Sequence, residues 1–171
     1  MARKQGRMFS LKCFKLIVVP VAMLSVAAAA GQSRKMQGNT DQKELYNYVL
    51  TMDKVQKLGS ATSGLSELGA HHPELYNSGE TLDQVTQRFQ KYPDVMATLN
   101  QNGLTPREYV VGTITLVQTD MAVNFKKAGT YKEYPPDLLK VVSLENLAFV
   151  EKHYDEVSKA LSSLSGRKDS R

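Results

Sequence analysis

Apolar residues recur every three or four positions through most of residues 41–166, and no segment alternates with period two between turn signals. That pattern belongs to helices that turn one face to a core. Leu45, Tyr48, Val49, Met52, Val55 and Leu58 form the first stripe and predict a helix over 41–58. The run Gly59-Ser60-Ala61-Thr62-Ser63-Gly64 interrupts it, and Gly69, Pro73 and Gly79 follow. Residues 59–79 are therefore expected to be loop, with at most a short helical piece at 65–68. Thr81 and Gln84 make a capping pair ahead of Leu82, Val85 and Phe89. Pro93 ends that helix and fits the first position of the next, expected over 94–102 and closed by Gly103.

The densest local signal is Gly103-Leu104-Thr105-Pro106-Arg107-Glu108-Tyr109. Gly103 can take the left-handed conformation past a helix end, Thr105 can cap the following helix, Pro106 suits its first turn, and Glu108 completes a capping box. Leu104 and Tyr109 can staple the entry. The helix so begun is expected to reach Lys127, with Val110, Ile114, Val117 and Met121 on one stripe and Val111, Ala122 and Phe125 beside it. It is apolar over most of its circumference and is placed centrally. Gly129 ends it, and Pro135-Pro136 leaves room for a short turn at 138–142. Ser143 caps the last helix, in which Leu144, Leu147, Ala148, Tyr154, Val157, Leu161 and Leu164 repeat helically towards Gly166. The fold class is accordingly all-α: a compact bundle of four or five principal helices.

Ahead of this domain, Arg3, Lys4, Arg7, Lys12 and Lys15 form a positive region, an apolar run spans 16–26, and Ala28, Ala29 and Ala30 supply the small residues that signal peptidase requires. The apolar run holds Pro20 and falls short of the roughly 20 residues needed to cross a bilayer. Residues 1–30 therefore read as a cleaved signal peptide, 31–40 as a flexible leader, 41–166 as the helical domain and 167–171 as a polar tail. The expected location is periplasmic or secreted, with no stable membrane insertion after cleavage.

This organisation changes the meaning of the charge. The chain carries 22 basic and 17 acidic residues, a net +5, and all five excess charges lie at or before Lys15. The rest is balanced, which removes the electrostatic footprint of a nucleic-acid or anionic-surface binder. The single cysteine, Cys13, lies upstream of the apolar run, so it is not placed for lipidation, and the domain holds no thiol for a disulfide, a metal or a nucleophile.

Candidate chemistry is sparse. The chain has neither a P-loop nor a dinucleotide-type glycine fingerprint, and neither His-Glu-x-x-His nor Gly-x-Ser-x-Gly. His71, His72 and His153 are the imidazoles available to a metal. Neighbouring residues of a regular element point apart, so His71 and His72 could share an ion only in an irregular loop, and the reading is no metal. Met52 and His153 supply the ligand types of a Met/His haem site, a likeness to b-type periplasmic cytochromes in that respect alone. Lys152-His153-Tyr154-Asp155 is too polar for an axial pocket, and no cofactor is expected. The polar residues on otherwise apolar helices are more informative. Glu108, Thr115, Gln118 and Asp120 on the central helix, with Arg107 at its start and Asn146 on the last, must tie helices together or line a ligand cleft, because buried polar groups need partners. The cleft candidates are Arg107, Glu108, Gln118 and Asn146.

The segment 103–109, followed by Leu116, Gln118, Met121-Ala122 and Asn146-x-x-Phe149-Val150-x-x-His153, resembles a loose set of small exported bacterial proteins without assigned function. The resemblance covers about residues 100–155, implies export and carries no catalytic residue. The expectation is an exported, non-catalytic envelope protein that acts on a protein or small-molecule partner. The alternative is a periplasmic helical bundle that binds a small molecule or a metal.

Overall fold

In a computed structural model, which describes residues 34–69, 71–76, 80–130 and 132–164, every regular element is helical. Seven α-helices follow in order: α1 (Arg34–Asn47), α2 (Met52–Leu68), α3 (Leu82–Phe89), α4 (Pro93–Gln101), α5 (Pro106–Lys127), α6 (Leu144–Lys152) and α7 (Tyr154–Leu164). Short 3-10 turns lie at Pro73–Tyr76 and Leu138–Lys140. The expected signal peptide and the polar tail lie outside the described residues. Among the described residues, no helix is long and apolar enough to cross a membrane.

The continuous helix expected over 41–58 is instead two helices with a break at 48–51. Thr51 adopts an extended backbone and its hydroxyl caps α2 by accepting the Lys54 N–H at 3.3 Å. Helix α1 begins at Arg34, inside the stretch read as an aperiodic leader. Its sequence is polar almost throughout. Polar contacts hold it in place: Asp41 accepts the Leu82 N–H at 3.1 Å, and Glu44 pairs with Arg107. Apolar periodicity reaches only the end of this helix, where Leu45 packs against the core, and misses its polar first turns.

Helix α2 also overturns the loop expected from residue 59 onward. Its small residues are a packing face rather than a helix stop. A Cβ on Gly59 would sit 3.7 Å from the Ala160 Cβ of α7, and one on Gly64 would lie 2.7 Å from the Thr98 methyl of α4. At Gly64 the missing side chain lets α4 approach, which offsets the helix-propensity cost of glycine, while Gly59 faces α7 at an ordinary contact distance. Val55, Leu58, Ala61 and Leu65 on the same helix are buried.

Downstream, the caps lie where the turn signals put them, except that Glu108 supplies its N–H to Thr105 without the reciprocal side-chain bond of the expected capping box. Thr81 and Gln84 form the reciprocal capping box of α3, and Pro93 occupies the first turn of α4. Gly103, at φ +66°, lets the Leu104 N–H return to the Leu99 carbonyl at 3.0 Å and closes α4. Thr105 then accepts the Glu108 N–H at 3.1 Å to start α5. Helix α5 touches α1, α2, α3, α4 and α6, which gives it the central position expected. The last expected helix divides at His153. Helix α6 packs on α5 whereas α7 packs chiefly on α2, so the chain must change direction between them. Leu58, Leu65, Leu99, Leu116 and Leu147 are almost fully enclosed, each stabilising the fold by roughly 1.5–3 kcal/mol on burial.

Candidate functional site

Asn146 explains the break between α1 and α2. Ser143 caps α6 by accepting the Asn146 N–H at 3.2 Å, which places the Asn146 side chain in the interior with no exposed surface. Its Oδ1 accepts the Leu50 N–H at 2.9 Å and its Nδ2 donates to the Tyr48 carbonyl at 2.7 Å. The amide thus pairs with backbone groups that the interrupted helix leaves over, across nearly a hundred residues of sequence. A primary amide is well suited to this role because it carries a donor and an acceptor on one planar group.

Arg107 performs the corresponding task at the other end of the region. Its guanidinium makes a two-pronged pair with Glu44, with Nε to Oε1 at 2.9 Å and Nη2 to Oε2 as the second contact. It also reaches Asp83 at 2.5 Å and Asp41 at 3.8 Å. One side chain thereby joins α1, α3 and α5, and the hydrogen bond to Glu44 holds the guanidinium firmly protonated. Glu108, the next residue of the same first turn, is half-buried. Burial and the Glu108 charge together push the Tyr48 hydroxyl up to about 12.

Gln118 is half-buried three turns further along α5, about 16 Å from Arg107 at 1.5 Å per residue. Asn146 faces the α1–α2 junction. The four candidates therefore do not converge on one cleft. Two surface clefts of about 390 and 460 Å³ lie elsewhere, one lined by Asp53, Lys57, Ser60 and Gln101, the other by Gln42, Tyr46 and Leu139. None of the four residues lines either of them.

The histidines are likewise separated in role. His72 Nε2 lies 2.8 Å from Asp94 Oδ2, its Nδ1 is 3.8 Å from Glu74, and its ring lies 4.2 Å from that of Tyr92. The His72 hydrogen bond is the main cause of a lowered Asp94 pKa, while a bond from Tyr92 does the same for Glu74. His71 is exposed, and His153 ends α6 with its ring 5.0 Å from Phe149. Met52 opens α2 and packs against the core. Among the described residues no group of three or more His, Cys, Asp or Glu is arranged to hold a metal ion.

Two further polar clusters join neighbouring elements, one at Arg88, which the sequence did not single out, and one at Asp120, which it did. Buried Arg88 donates to the Glu74 carbonyl at 2.7 Å and the Leu75 carbonyl at 3.2 Å and pairs with Glu80, which fixes the 3-10 turn onto α3. Asn124 donates to Asp120 at 2.8 Å and accepts from the Tyr154 hydroxyl at 2.5 Å, linking α5 to α7. Burial raises the Asp120 pKa, and its Oδ1 is enclosed with no protein partner. Each cluster depends on contacts between elements, so the sequence pointed to Asp120 as a polar residue on an apolar helix but not to its partners, and not to Arg88.

No family model, curated protein or solved structure matches this chain. The pattern at 103–153 is therefore read through the contacts of its own residues: Thr105 caps, Arg107 clamps three helices and Asn146 bridges a helix break.

Proposed function

We propose that this is an exported protein of the bacterial envelope, a helical bundle released after removal of residues 1–30, which acts by binding a partner rather than by catalysis. The observation that carries the non-catalytic reading is the employment of its most distinctive polar residues. Both polar atoms of the Asn146 amide hold backbone groups, and the Arg107 guanidinium holds carboxylates from two other helices. Residues engaged in this way support a scaffold. Export is supported by the basic start, the short apolar run and the alanines at 28–30. Binding is supported by apolar side chains at the surface, with Met121 38% and Phe125 43% exposed one turn apart on α5.

Replacement of Ala28 and Ala30 by bulky residues tests the export half. The expected product is a precursor about 3 kDa heavier that stays at the inner membrane through its uncleaved apolar run. Normal release of a shortened product from that variant would refute the assignment.

A further inference from the structure

We draw no further inference here: the strongest candidate, the apolar strip on the outer side of α5 where half-buried Val117 precedes exposed Met121 and Phe125, carries nothing because nothing in the structure shows what covers it.

Discussion

Substitution of Asn146 by alanine removes the side-chain amide that holds both the Tyr48 carbonyl and the Leu50 N–H at the α1–α2 break. It leaves the Leu50 N–H, on a residue 2% exposed, and the Tyr48 carbonyl without that partner. A buried group stranded in this way costs about 1–3 kcal/mol. Two such groups set an upper range of about 6 kcal/mol, and water reaching the half-buried Tyr48 side of the break reduces it. The expected loss is about 2–4 kcal/mol, read as a lower urea midpoint with an unchanged slope. Asn146→Asp sharpens the test, since it keeps the acceptor for Leu50 but faces the Tyr48 carbonyl with oxygen. Burial raises the pKa of the new carboxyl above its unfolded value, so its stability deficit should grow as pH rises and shrink in acid, where the protonated group can donate. A polar group kept ready for a ligand behaves oppositely, because its removal leaves the ligand-free protein unchanged or more stable. A neutral or stabilising Asn146→Ala would therefore refute the scaffold role.

Four further outcomes are expected. Gly112→Ala should destabilise despite the better helix propensity, because its Cβ would lie 2.9 Å from Tyr48 Oη and 3.0 Å from Leu58 Cδ1, whereas Gly38→Ala, with nothing within 4 Å, should stabilise; paired thermal melts decide. Thr105→Ala should cost about 1 kcal/mol in urea, and no change would mean that its hydroxyl does not cap α5. Arg107→Met should cost roughly 1 kcal/mol at low salt, with the difference from the parent shrinking as salt screens the pairs; a salt-independent loss would assign the effect to packing. Asp120→Asn concerns a carboxyl whose folded pKa is raised by burial, so the parent loses stability as pH rises through the carboxylate range. The variant should therefore be at least as stable at neutral pH and lose its advantage in acid, and a variant less stable at neutral pH would show that the ionised carboxylate is needed.

The elements legible in the sequence are those whose ends are set within a few residues. The Thr81 box, Pro93, the Gly103–Pro106 junction and the Ser143 cap each act over one turn, and α3, α4, α5 and the start of α6 lie where those signals put them. The failures share a physical cause. The break at 48–51 depends on Asn146, 96 to 98 residues away, so an unbroken apolar stripe conceals it. Gly59 and Gly64 look like breakers locally and act as contact surfaces for Ala160 and Thr98. The turn at His153 reflects two helices docking on different neighbours, while Arg88 serves the turn at 73–76 and looks like ordinary surface charge in isolation. For the candidate residues, the need for partners at Arg107 and Asn146 was legible from their place on otherwise apolar helices. Their actual partners, Glu44, Asp83, Tyr48 and Leu50, were not.

Native mass spectrometry of the protein recovered from the envelope of its own host decides whether it is an exported scaffold without cargo, since one spectrum reads both processing and bound ligand. The expected mass is that of residues 31–171, without a metal or small-molecule adduct. A mass that retains residues 1–30, or a stoichiometric adduct on the processed chain, would contradict it.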